Sequence, residues 1–273
     1  GEGERLAELV EREHVGQVIV ALDDRRGRLP AELLLQLKSR GVAIQDAADV
    51  YEAVASKLAL DPLRLSSLLF SPGFRVSTAI RIYKRAFSIL LSLAGLIPAL
   101  PAMALIAAAI RLDSPGPIIF RQKRLGQNGK VFRLYKFRSM RDGVDSDGRS
   151  RPAREHDERV TRVGRFLRRT RLDELPQLYN ILRGDMYFIG PRPFTPDLEE
   201  ELAQQIPFYR LRLLVKPGAT GWAQVHRGYC VSLEDNIEKL GYDLFYIKNL
   251  SIGLDLLILF QTVKILLLGR GAQ

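Results

Sequence analysis

Two adjacent carboxylates among arginines are the part of this sequence best suited to chemistry on phosphate. The run Leu172-Asp173-Glu174-Leu175-Pro176-Gln177 follows a row of arginines at Arg159, Arg162, Arg165, Arg168 and Arg171, with Arg169 added. Guanidinium groups bind phosphate oxygens through paired hydrogen bonds. Spacing of three also describes a solvated basic surface or a lipid headgroup contact, so the row by itself decides nothing. Pro176 suits a first helical turn and Gly184 a helix end. That puts the acidic pair at a helix N-terminus, where partial positive charge favours an anion. An Asp there is most often a cap. Among this many arginines the pair has two further uses. It could hold a divalent metal on a diphosphate, or one carboxylate could attack phosphorus and form an acyl phosphate.

Other stretches carry weaker signals. Gly190-Pro191-Arg192-Pro193 holds an arginine between two residues of fixed φ, which either pre-sets its direction or simply makes a tight turn. Lys216 to Gln224 places a cation beside the one tryptophan in a turn-rich run, facing a nucleotide or an interface. The histidines His14, His156 and His226 have no zinc-like spacing. Cys230 is the single cysteine, so an internal disulfide is impossible.

The elements that must position these groups fall into two parts. The chain has 273 residues, a net charge of +10, 47% apolar residues and 26% charged ones. That excludes an ordinary multi-span membrane protein and implies an anionic partner: nucleic acid, phospholipid or a phosphorylated substrate. The first residues are polar, lack a signal-peptide pattern and an initiator Met, and read as part of something longer. Gln17–Leu22 and 42–45 read as strands. Stretches 4–13, 30–40 and 47–57 read as helices. This alternation predicts a small α/β unit with parallel strands over residues 1–70, ending in a linker. No Gly-rich phosphate loop follows either strand.

From Ala86 to Ile110 there are 25 residues without a charge, enough for the roughly 20 that a bilayer core needs. Pro98 and Pro101 interrupt the stretch, and both flanks are basic: Arg81, Lys84 and Arg85 before, Arg111, Arg121, Lys123 and Arg124 after. A spanning helix usually carries its Lys/Arg excess on one side. The pattern therefore predicts a bent hairpin, about 80–111, entering and leaving by one face, with a kinked soluble core helix as the bland reading. Residues 131–137 alternate like a strand, and 142–154 are loop-like. The apolar stretch 244–268 contains Lys248, Asp255 and Lys264, which argues against a second span and predicts amphipathic helices lying at a membrane interface, with a soluble core helix as the bland alternative.

Taken in order, Lys136 to Met140, Leu172 to Gln177, Gly184 to Met186, Gly190 to Pro193, Lys216 to Gln224 and Tyr242 through Asp255 resemble the bacterial sugar transferase family, the monotopic polyprenyl-phosphate phosphoglycosyl transferases. The resemblance covers about Ile80 to Gly269. It implies an α/β protein whose catalytic domain, 71–273, is mainly helical, with a re-entrant helix-break-helix and interfacial amphipathic helices. The first seventy residues resemble the end of a Rossmann-like domain in large family members, which also suggest a homodimer. The family's break is usually Ser-Pro; here it is Ile97-Pro98.

The resemblance also implies a ping-pong reaction on the cytoplasmic face of the bacterial inner membrane. Asp173 would attack a UDP-sugar, release UMP and carry the sugar phosphate until polyprenyl phosphate takes it. Glu174 would handle a proton or support a metal, and Mg²⁺ would lie between Asp173 and the diphosphate. Arg168, Arg192 and Lys136 would hold phosphate. After Gln224 the sequence Val225-His226-Arg227-Gly228 departs from the family's usual Asn-Gly-Arg pattern, in a segment that bears on sugar choice. Two other readings compete. A nucleic-acid-binding protein would use the arginine row but leave the hairpin and acidic pair unexplained. A non-catalytic membrane scaffold would tolerate Asp173→Asn.

Overall fold

The computed structural model describes residues 2–22, 29–60, 73–141, 157–228 and 232–268. They divide into two compact units, 1–71 and 72–273. Unit one holds α1 (Glu2–Arg12), β1 (Gln17–Val20), α2 (Ala31–Ser39), β2 (Ala43–Asp46) and α3 (Ala47–Ala55). β1 and β2 pair in parallel, Gln17 opposite Ala43 through Val20 opposite Asp46. Asp46 ends β2 and caps α3 by accepting from Ala48 N at 2.9 Å. Among its described residues, Val10, Leu34, Leu37 and Leu58 are the buried apolar ones. The loop-like stretch expected over 142–154 lies outside the described residues.

Unit two begins with α4 (Thr78–Asp113), a 36-residue helix capped by Ser77, which accepts from Ile80 N at 3.2 Å. Among the described residues it is the one helix long and apolar enough to cross a membrane, and almost none of its apolar window is buried. Leu90, Ile97, Leu100, Leu105 and Leu112 point outward. A core helix would bury these residues. Pro98 and Pro101 lie inside α4. The sequence reading placed a break at Ile97-Pro98, whereas the helical assignment runs through both prolines. Each proline removes one backbone donor, and the uninterrupted apolar helix formers on either side carry the helix past that loss.

Both ends of α4 rest on the same body. Near the start, Arg85 donates to Ile181 O at 2.6 Å and Leu182 O at 2.7 Å, and Ser88 Oγ accepts from Phe188 N at 3.0 Å. Leu96 packs against the cluster that contains Leu178, Ile181 and Met186. Near the end, Ile106 and Ile110 pack with Phe137 and Leu167.

An antiparallel hairpin follows, β3 (Ile119–Leu125) and β4 (Val131–Phe137), with Ile119 opposite Phe137 and Leu125 opposite Val131. The tight return uses positive φ at Asn128 and Gly129. Then come α5 (Arg162–Thr170), a 3₁₀ turn at Leu172–Glu174, α6 (Gln177–Arg183), β5 (Tyr187–Ile189) and α7 (Pro196–Gln205). A 3₁₀ stretch at Tyr209–Leu214, β6 (Gly218–Thr220), α8 (Trp222–His226), α9 (Leu233–Lys248) and α10 (Ile252–Leu267) complete the unit. β5 and β6 pair in parallel.

The apolar C-terminal stretch splits in role. Leu240, Leu244, Tyr246 and Ile247 of α9 are core, so only α10 leaves an apolar side exposed. Its residues Ile252, Leu256, Phe260, Val263 and Leu267 recur at helical spacing along one face.

α5 sits hard against the chain leaving β4. A Cβ at Gly164 would overlap the Ser139 carbonyl, which also accepts from Thr161 N at 3.1 Å. Gly164→Ala is therefore expected to cost about 1–3 kcal/mol by overpacking, read as a lower unfolding midpoint with intact helical content.

Candidate active site

The hairpin supplies a two-faced platform. Residues directly opposite share a face, so Lys136, opposite Phe120, and Arg124, opposite Phe132, lie on one side. Asn180 of α6 docks the acidic segment onto β4. Its Oδ1 accepts from Tyr135 N at 3.0 Å, and its Nδ2 donates to Arg133 O at 2.7 Å and to Asp185 at 3.0 Å. Asn180 is fully buried, so these bonds are made away from competing water.

Arg171 ends α5 in the left-handed conformation, φ 60°. The chain then turns at once into the 3₁₀ turn that carries Asp173 and Glu174. Pro176 starts α6 and Gly184 closes it at φ 94°. Arg85 and Lys216 satisfy its last carbonyls, Lys216 Nζ donating to Gly184 O at 2.7 Å. Lys216 is thus committed to capping α6, and Trp222 is buried against His226 and Phe245. The 216–224 run builds part of the site's frame, with Lys216 on the end of α6 and Trp222 in the core.

The two carboxylates have different partners. Glu174 Oε1 accepts from Lys136 Nζ and from Arg192 Nη2, each at 2.8 Å. Asp173 is buried, within electrostatic reach of Lys136, Arg168 and Arg192. Arg168 Nε donates to Ser139 Oγ at 2.8 Å. All five residues singled out in the sequence therefore come together: Asp173, Glu174, Lys136, Arg168 and Arg192.

Their environments push the acids apart. Burial raises the Asp173 carboxyl above the ordinary range and Glu174 adds to this, against the cations. Burial also acts upward on Glu174, but Arg192 and Lys136 outweigh it and hold that carboxyl far below its usual range. Burial lowers the Lys136 ammonium, opposed by Glu174. Paired acids with divergent environments are the mark of divided roles.

Three residues of the site were not legible as such. Arg124 read as a flank of the apolar stretch, yet it donates to Pro193 O at 3.0 Å and to Gln122. The Phe120–Gln122–Arg124 alternation before a Gly-containing turn was the available signal. Ser139 meets Arg168, and Arg212 donates to Arg192 O at 2.7 Å. Nothing local distinguishes Arg212 from other arginines.

Among the described residues no group of three or more His, Cys, Asp or Glu is arranged to hold a metal. Mg²⁺ commonly takes one or two carboxylates and completes its shell with water and substrate phosphate. With Glu174 Oε1 engaged by two cations, Asp173 fits that mode as the one protein carboxylate.

The model of the family described as bacterial sugar transferase matches residues 79–269. The chain is 40% identical over 235 residues to a UDP-N-acetylgalactosamine-undecaprenyl-phosphate N-acetylgalactosaminephosphotransferase of Aeromonas hydrophila, covering 85% of this chain and 54% of that protein. It is 46% identical over 185 residues to a UDP-glucose:undecaprenyl-phosphate glucose-1-phosphate transferase of Escherichia coli K12, covering 67% of this chain and 40% of that protein. An exopolysaccharide production protein of Rhizobium leguminosarum is 42% identical, with 67% of this chain and 94% of that protein covered. The chain thus spans about half or less of the first two relatives.

Proposed function

The chain belongs to the bacterial sugar transferase family, and from that premise we propose that it transfers a sugar 1-phosphate from a UDP-sugar to a polyprenyl phosphate. The observation that carries this reading is the buried Asp173 beside Arg168, Lys136 and Arg192. In the first step an Asp173 oxygen attacks the β-phosphorus. The bond from that phosphorus to the bridging oxygen breaks, and UMP leaves with the electron pair. In the second step a phosphate oxygen of the lipid attacks the same phosphorus, and the Asp173 carboxylate leaves, giving lipid diphosphate-sugar.

Neither attacking group needs a proton removed, since both are anions. A glutamate held far below its ordinary range is a poor proton carrier. Glu174 serves instead as the anchor that gathers Lys136 and Arg192 beside the nucleophile. These cations and Arg168 offset the repulsion between anionic nucleophile and diphosphate and stabilise charge on the transferring group. Mg²⁺, held by Asp173 and the diphosphate, would supply further charge neutralisation when bound.

The lipid acceptor requires a membrane. The exposed apolar face of α4, with both ends tied to one catalytic body, supports a re-entrant anchor bent at Pro98 and Pro101. The outward face of α10 supports an interfacial position beside it. The catalytic unit then faces the cytoplasm from the bacterial inner membrane.

The test uses vesicles containing undecaprenyl phosphate, Mg²⁺ and radiolabelled UDP-N-acetylgalactosamine, UDP-glucose or UDP-galactose, the sugars for which relatives are named. Label entering the organic phase with equal UMP release is the expected result. Label that stays aqueous with every donor would sink the proposal.

The raised Asp173 carboxyl gives a pH prediction. Its reactive form is the carboxylate, so the rate of UMP release without acceptor should fall as pH drops through a value above the ordinary aspartate range. An acid limb at or below that range would contradict the assignment.

A further inference from the structure

Arg192 reaches Glu174 from a loop that is tied down at every residue. Gly190 N donates to Thr220 O at 2.8 Å, and Pro191 O accepts from Gly218 N at 2.9 Å. Arg192 O accepts from Arg212 Nη2 at 2.7 Å. Pro193 O accepts from Arg124 Nη1 at 3.0 Å, and Phe194 O from Leu125 N at 2.9 Å. The backbone around the site arginine is therefore set by two other arginines and by strand-like pairing.

Of these ties, the one from Arg212 is the most elaborate. Its guanidinium is buried between two carboxylates. Nε and Nη2 donate to Asp243 Oδ2 at 3.2 and 3.0 Å, and Nη1 donates to Glu199 Oε2 at 2.9 Å. The cation also lies over the Phe194 ring at 4.4 Å and the Tyr209 ring at 5.3 Å. Glu199 belongs to α7 and Asp243 to α9, so the guanidinium joins two helices to the loop. Burying such a triad is costly, and apolar packing of the same volume would serve stability as well or better. What apolar packing cannot supply is a donor aimed at one backbone carbonyl.

We propose that Arg212, held by Glu199 and Asp243, is a positioning residue that sets the Arg192 backbone so that the Arg192 guanidinium meets Glu174 beside the nucleophile. Arg124 makes the matching contact on the next carbonyl from the hairpin side. The triad touches no reacting atom and acts through Arg192 alone. This rests on the transferase reading only for its kinetic test.

That test is a double-mutant cycle on UMP release from a UDP-sugar in the full chain. Arg212→Lys keeps the charge but loses the fork that serves Asp243, Glu199 and Arg192 O together. It is expected to slow release by about 10- to 100-fold in the otherwise native protein, as small misplacements of charge-stabilising groups do. In an Arg192→Ala background the same change should cost less than about 2-fold, since the group it positions is gone. Equal factors in both backgrounds would overturn the proposal and leave the triad a structural feature. Should Arg212→Lys not fold, Arg124→Lys takes its place in the cycle, with the same expectation and the same overturning result.

A second readout needs no turnover. Arg192 Nη2 lies 2.8 Å from Glu174 Oε1, and a crystal structure of Arg212→Lys should show that contact broken and the Arg192 side chain moved. An Arg192–Glu174 contact unchanged in Arg212→Lys would overturn the proposal even if no UDP-sugar were turned over. Absence of turnover in the native chain together with a displaced Arg192 would refute the transferase reading and leave the positioning role standing.

Discussion

Asparagine at position 173 is expected to eliminate the covalent sugar phosphate and lower UMP release by about 10⁴-fold or more, the scale of losing a nucleophile rather than a binding contact. The amide is nearly isosteric with the carboxyl but cannot attack phosphorus as an anion. Stability should move the other way. Asp173 has a raised carboxyl in the fold, so the folded state holds its proton more tightly than the unfolded chain. The linkage sign follows: stability is lost as pH rises from the ordinary aspartate value through the raised one. Above that window the buried charge is a standing cost, and the neutral amide removes it. Asp173→Asn should therefore melt no lower than the native protein at neutral pH while capturing no sugar phosphate. Intact-protein mass spectrometry after mixing with Mg²⁺ and the donor panel, without acceptor, reads the adduct directly. An adduct of one sugar phosphate on the native chain and none on Asp173→Asn is the expected pair. An adduct surviving in Asp173→Asn would move the nucleophile elsewhere. Transfer to lipid with no adduct on the native chain would replace the two-step route by direct attack.

The acids and cations that the structure brings together were more legible in the sequence than the frame around them, and the reason is physical. Adjacent carboxylates beside arginines stand out locally, because the acids and most of their cations lie in one short run. Val131–Phe137 was equally plain, since alternation is a local property, and β4 has those bounds. β3 was obscured because Arg121, Lys123 and Arg124 read as the basic border of an apolar helix. Only the pairing of β3 with β4 shows Arg124 sharing a face with Lys136. Arg212 was hidden for a deeper reason. Its partners Glu199 and Asp243 lie 13 and 31 residues away, and burial of an arginine is decided by tertiary packing, which no local pattern encodes. The same holds for Leu244–Ile247. An apolar run with a few charges predicts an interfacial helix, but the packing of α9 buries these residues in the core.

Methionine in place of Lys84 is expected to be the most destabilising single change in the catalytic unit. Lys84 lies in the first turns of α4, just before its uncharged stretch, yet is buried, its ammonium donating to Asp255 Oδ2 at 2.9 Å and to the Tyr246 hydroxyl. The single Tyr246 hydroxyl proton is in turn shared between Asp255 Oδ1 at 2.7 Å and Ile189 O at 3.2 Å. One cluster therefore joins α4, α9, α10 and β5. Lys84→Met leaves the Asp255 carboxylate buried with the tyrosine hydroxyl and no cation, a loss of about 3–5 kcal/mol. Lys84→Met with Asp255→Leu removes both charges and should recover most of it, since a buried pair often stabilises no more than apolar packing does. Unfolding midpoints of the two variants in nanodiscs decide the matter, and equal losses would show that volume rather than charge governs the site. The pair also does what apolar packing cannot. Lys84, Ser88 and Ser92 are buried at intervals of four, on one face of α4, while the other faces of its central stretch are mostly apolar residues that a lipid phase would accept in any rotation. A polar stripe anchored by an ion pair selects one rotation. The double variant should therefore regain its melting midpoint but not its full rate of transfer to lipid, because α4 would be free to turn against the site that Arg85 connects it to through α6. Full recovery of both would show that rotation is fixed by shape alone.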